Sequence, residues 1–271
     1  MTVTEKPTLK LNDFYDLFNN FEKLIFNNIK NFNKKENDCF RHLVNNILCD
    51  FAATYLLLEK SYLIQAQKLT RHTFEAMVLL VYLDKCGKEY SKEDYLIDSE
   101  ICDLKNSFII YKQDKNQEKK YFNWLFLFND ELNSLNEHTK NRLRAHIKKY
   151  KKNNCLLQLP ELSEENFDDY DNFFAHFRPK FMRIENMWIG IKKLDILNNK
   201  NLELIELLKY GYNCYSQTAH NKLSLQIEHT EYKENELRVF YNFLKGIMQI
   251  TCDILIGNNV LTDYEYLKYI I

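Results

Sequence analysis

The sequence predicts an all-α protein, an antiparallel bundle of several helices, and three observations lead there. Five glycines and three prolines are spread over 271 residues, too few for the turns that a sheet protein of this length needs. The glycines Gly87, Gly190, Gly211, Gly246 and Gly257 stand singly, so no Rossmann turn or phosphate-cradling loop is built from them. Apolar residues recur three and four apart along most of the chain, the helical period, instead of alternating.

The elements follow in order. Leu9 to Ile29 sets Leu11, Tyr15, Phe18, Phe21 or Glu22, Ile25 and Ile29 at helical spacing. Asp38 is placed to cap a second helix with Cys39, Leu43, Ile47 and Phe51 inward, which leads into the longest apolar segment, Phe51 to Cys86. One helix over that whole length would be unusually long, so a break is expected at Glu59 to Ser61, and Gly87 is the expected stop. Ile97, Ile101, Leu104, Phe108 and Ile109 suggest a weaker helix, and QDKNQEKK, residues 113–120, reads as an exposed connection. Trp124, Phe128, Leu132 and Leu135 begin another helix, and HTKNRLRAHIKKYKK continues the pattern with a basic face. Pro160 and the acidic run after Ser163 make Asn153 to Asn172 the expected loop or lid. Pro179 is expected to open a helix with Phe181, Ile184, Met187, Trp188 and Ile191. Strong periodicity returns from Asn201, with Leu202, Ile205, Leu208, Tyr212, Tyr215 and Ala219, and again from Asn235 to Ile256, where Gly257 ends it and Thr262 caps a short terminal helix. The simplest organisation is a single helical domain over 1–271, with 88–172 as a subdomain or lid.

Composition narrows the function. Lys and Arg total 37 against 38 Asp and Glu, so bulk charge argues for neither nucleic acid nor a membrane surface. Seven cysteines without a CxxC spacing fit reduced thiols in a cytoplasmic protein better than a disulfide framework. The opening MTVTEKPTLK has no apolar core of the signal-peptide kind, and the uncharged run Ala76 to Leu83 is far shorter than a bilayer span. A soluble intracellular protein with no membrane partner is the expectation. Cys39 and His42 lack a second ligand pair, and neither HExxH nor the Glu-x-x-His of di-iron bundles occurs, so no metal site and no cofactor are expected. Asp168, Asp169 and Asp171 follow no EF-hand pattern and read as solvated.

Two constellations carry chemistry. Arg71 and Glu75 lie four apart inside the apolar segment and share a helix face. Charges placed there call for a partner from elsewhere in the chain. They are either an ion pair holding helices in register or a guanidinium that faces a cleft and binds an oxyanion, with Glu75 fixing its direction. Tyr212, Ser216 and His220 lie i, i+4, i+8 in YNCYSQTAH, where His220 is either a satisfied structural histidine or, beside an incoming Arg and a carboxylate, a general acid or base. A third, looser feature is the basic run Arg142, Arg144, Lys148, Lys149, Lys151 and Lys152, with Tyr150 interleaved. It is either a solvated helix face or a track for an RNA backbone.

Leu69, Arg71 and Glu75, followed far downstream by Tyr215, Ser216 and His220, resemble the Leu-x-Arg-x-x-x-Glu and Tyr-Ser-x-x-x-His pattern of a widespread family of bacterial all-helical proteins, over roughly residues 40 to 245. That family is similar in general architecture to HEPN domains, helical modules of toxin–antitoxin and phage-defence systems, many of them metal-independent ribonucleases. The resemblance implies a defence or toxin-type effector acting on RNA, with Arg71, Glu75, Tyr215, Ser216 and His220 as its catalytic set and a protein partner such as an antitoxin, or a homo-oligomer, around it. The HEPN signature of Arg and His separated by four to six residues is absent, Arg142 and His146 coming closest with three between. Arg71 and His220 therefore have to meet from different helices. The alternative is a non-catalytic helical module that binds a protein partner.

Overall fold

The computed structural model describes residues 9–117, 124–147, 160–182, 208, 210–213 and 234–261, and every regular element among them is helical. They belong to two compact units, Met1–Gly87 with Ile184–Ile271, and Lys88–Arg183.

In the first unit α1 spans Leu11–Asn27, a short α2 spans Ile29–Phe32, and α3 (Asp38–Glu59) and α4 (Leu63–Lys85) form an antiparallel hairpin. The expected break falls where the sequence placed it. Ser61 adopts a left-handed backbone with φ of 61°, and Tyr62 N–H donates to the Leu57 carbonyl at 2.8 Å while Ser61 N–H donates to Leu58 at 2.9 Å. Those two bonds close the last turn of α3 in the Schellman manner. Asp38 turns out to be the first helical residue, not the cap, and pairs with Arg41 at 2.7 Å. At the far end α4 stops at Lys85, and Gly87 does not use the positive φ that would make it a left-handed cap.

α4 is the central helix of this unit. From Ala76 to Leu83 every side chain is buried, because α4 is packed by α3 and also by a long helix near the end of the chain, Glu234–Gly257. That helix buries Phe240, Phe243, Leu244, Ile247, Met248 and Leu255. Among the described residues it is the one helix long and apolar enough, by length and composition, to cross a membrane. Here its apolar side is spent on α1 and α4. The inward face of α1 is Phe14, Leu17, Phe18, Phe21, Leu24 and Ile25, whereas Leu11, Tyr15 and Ile29 lie outside. The expected register was therefore rotated, and Phe14 rather than Leu11 starts the buried stripe. Phe14 meets Tyr241 edge-on at 5.3 Å, and Phe18 stacks on Phe51 at 5.0 Å, arrangements that aromatic quadrupoles favour.

The second unit packs α5 (Lys92–Gln117), α6 (Trp124–Ser134), α7 (Glu137–Ile147) and α8 (Phe167–His176). Ile101, Leu104, Phe108, Phe128, Tyr170 and Phe174 form its core, with Phe108 and Phe174 rings 5.0 Å apart. Two expectations are corrected here. The connection foreseen at 113–120 is helical as far as Gln117, since a polar run can continue a helix on its wet side. The loop foreseen at 153–172 gives way to α8 from Phe167. Asp168 and Asp169 in its first turn suit the positive end of the helix dipole, and Tyr170, Phe173 and Phe174 turn inward. Lys112 reaches Asp171 at 2.6 Å and ties α5 to α8. The helix expected after Pro179 begins at Lys180, whose N–H donates to Asp98 at 2.9 Å.

Candidate functional site

The central pair forms as its spacing requires. Arg71 Nε donates to Glu75 Oε1 at 2.8 Å, with the two side chains 19% and 13% exposed. Neither is sealed in the core, and neither is free in solvent.

The partner from elsewhere is Tyr212. Residues 210–213 are helical, and Tyr212 lays its ring 4.9 Å from Phe74, one residue before Glu75. Its phenol comes within hydrogen-bonding reach of both Arg71 and Glu75. Gly211 makes this approach possible: a Cβ there would stand 2.3 Å from the ring of Phe243, which itself stacks on Phe74 at 5.7 Å. A side chain at 211 would push the 210–213 turn, and Tyr212 with it, away from α4.

The electrostatics follow from that geometry. Burial works against the Arg71 charge, but hydrogen bonding and attraction to Glu75, aided by Tyr212, outweigh it and hold the guanidinium's affinity for its proton above the ordinary value. Burial, then the Glu75 carboxylate, push the Tyr212 hydroxyl upward, so it stays a neutral donor. The result is a cation held in place by Glu75 and Tyr212, with about a fifth of its side chain open to solvent.

Tyr215, Ser216 and His220 lie outside the described residues, as do Lys148, Lys149, Lys151 and Lys152. Arg142 and Arg144 are described. Arg142 donates to Asp94 at 2.5 Å and approaches the buried Asp98 at 3.5 Å. Asp98 also accepts from the Tyr90 hydroxyl at 2.9 Å, and burial with the Asp98 charge drives Tyr90 far upward. Asp94 feels burial, which would raise it, yet its bonds to Ser91 and Arg142 carry it below the usual carboxylate range. Arg142 is thus answered by two carboxylates of its own unit. Arg144 bonds Asn141 at 2.6 Å and lies 3.7 Å from Glu137, so it too is directed along its own helix.

Sequence reasoning passed over one pair. Asp50 on α3, nearly buried, accepts from His72 Nδ1 at 2.7 Å and from Thr73 Oγ1 at 3.3 Å. The available signal was a carboxylate in the inward stripe of α3, between Ile47 and Phe51. Among the described residues no three His, Cys, Asp or Glu side chains gather as a metal site would need. No family model, curated protein or solved structure matches this chain.

Proposed function

We propose that this chain is a defence or toxin-type effector of a microbial cytosol that acts on RNA, cleaving it without a metal ion. The observation that supports the reading is the Arg71 site. A half-buried guanidinium is oriented by Glu75 and met by Tyr212, and Tyr212 opens the stretch YNCYSQTAH that carries Tyr215, Ser216 and His220. Segments some 140 residues apart in sequence therefore come together at the cation, as a composite site requires. In this reading Arg71 binds the scissile phosphate and stabilises the charge that develops on it, Glu75 and Tyr215 hold the set in place, and His220 takes the 2′-hydroxyl proton. The architecture of the family it resembles, HEPN-like, belongs to the same proposal.

A second reading, a non-catalytic module that binds a protein partner, has its own observation. A cleft of about 300 Å³ between α1 and α3 is lined by Tyr15, Phe18, Phe51, Tyr55 and Leu56, with Tyr15 and Leu56 more than half exposed.

Controlled expression in a bacterial host separates the two. The RNA reading expects growth arrest with the native chain and its relief by His220→Ala or Arg71→Ala at unchanged protein level. Arrest that persists in both variants, yet disappears when Tyr15 and Leu56 are replaced by Ser, would favour the interaction module.

A further inference from the structure

The cleft between α1 and α3 is lined in a way that selects what can occupy it. Phe18 stacks on Phe51 at 5.0 Å, and the Tyr15 and Tyr55 rings lie 5.6 Å apart, all four facing the same recess. Phe18 and Phe51 are buried while Tyr15 is half-exposed, so an apolar floor opens to water beside a tyrosine. One lining residue is charged: Glu22, exposed, two turns after Tyr15 on α1. Among the described residues its carboxylate has no ion-pair or hydrogen-bond partner, and no lysine, arginine or histidine lines the cleft. Aromatic faces and an unanswered carboxylate both attract a cation, and the carboxylate repels an anion. The buried rings reward an apolar body. A volume of about 300 Å³ is the lower end of small-molecule sites, and the two turns from Tyr15 to Glu22 span about 10 Å.

We propose that this cleft binds a small organic monocation with an apolar body, an alkyl- or arylalkylammonium. Its ammonium group lies against Glu22, and its body runs over Phe18 and Phe51 towards the Tyr15 and Tyr55 pair. Glu22 fixes which way round the molecule lies, and Tyr15 closes the far end. The inference is independent of the RNA reading. Against the second reading, it puts a small molecule in the cleft where that reading puts a protein segment.

The test uses the full chain and three probes of similar shape and different charge, phenylbutylamine, phenylbutanol and phenylbutanoate, each titrated at neutral pH and followed by ligand NMR. The expected dissociation constant for the amine is about 1 mM, the scale for a ligand of this size. The amine should bind about fivefold tighter than the alcohol, the scale of an exposed ion pair, with the carboxylate weakest. Glu22→Gln, at an exposed position, is expected to bring amine and alcohol level. Tyr15→Ala is expected to weaken both several-fold, since it removes packing and leaves the charge. Equal binding of amine and alcohol by the native chain would overturn the assignment. A preference for the amine that survives Glu22→Gln would do the same, because the cation then sits elsewhere, and so would native affinities in Tyr15→Ala. Binding of none of the probes overturns it as well and leaves the cleft to a protein segment. Cleavage of RNA, present or absent, moves none of these outcomes.

Discussion

At the scale of single residues, the weight of the site rests on whether Arg71 and Glu75 depend on each other. Their side chains are less than a fifth exposed, so removal of either leaves a poorly hydrated charge. A lost hydrogen bond to a charged group costs about 1.5–3 kcal/mol. Arg71→Ala and Glu75→Ala are each expected to lower unfolding free energy by that amount. The double variant should cost clearly less than the two single losses added together, because the second change removes an orphan created by the first. Denaturant unfolding of the four proteins checks this, and additive losses would mean that the 2.8 Å bond contributes nothing in solution. This pair was legible because its spacing lies within one helix. The contact of Asp50 with His72 was not, since the two are 22 residues apart on different helices, and only the relative register of α3 and α4 brings them together. Tyr212 sat between these cases: its place on a polar line could be read, its landing beside Arg71 depended on packing.

At the scale of elements, the sequence told more about where helices exist than about which way they face. The end of α3 at Glu59 was readable from a length argument and a polar tripeptide. The facing of α1 was not, because apolar residues occupy more than one side of it: Leu11, Tyr15 and Phe26 are exposed while Phe14, Leu17 and Phe21 are buried. Periodicity counted from the wrong apolar residue gives a valid helix with a rotated face. α8 was hidden for a different reason. Glu164, Glu165, Asp168 and Asp169 look like a solvated loop by composition, yet acids ahead of an apolar run also mark a helix start. The short helical turn at 210–213 is the element on which the site most depends. Gly211→Ala places a methyl 2.3 Å from the Phe243 ring, inside a stack of Phe243, Phe74 and Tyr212. Overpacking of that kind costs about 1–3 kcal/mol. A lowered melting temperature is expected together with a shift in the near-ultraviolet tyrosine signal as Tyr212 leaves Phe74. A Gly211→Ala protein with native melting and native spectrum would show that the turn does not press on Phe243.

At the scale of the whole molecule, the chain divides its charges in a way that its net balance conceals. The second unit answers Arg142 with Asp94 and Asp98, and Lys112 with Asp171. The first keeps a guanidinium and an imidazole near the surface of α4, each oriented by a carboxylate, Glu75 and Asp50. Scarcity of glycine and proline made the helical class legible from composition alone, but the concentration of oriented polar groups on one helix emerges only when α3, α4 and the 210–213 turn are packed. Under the proposed function, this concentration acts on RNA. Its most direct test is incubation of the purified native chain with mixed-sequence oligoribonucleotides in EDTA, beside Arg71→Ala and Arg71→Lys proteins shown to be folded by their melting curves. The expected result is cleavage by the native chain to fragments ending in 2′,3′-cyclic phosphate. A loss of about 100- to 1000-fold is expected in both variants, the scale on which a single charge-stabilising donor acts. No cleavage by the native chain, or cleavage that survives both Arg71 substitutions, would contradict it.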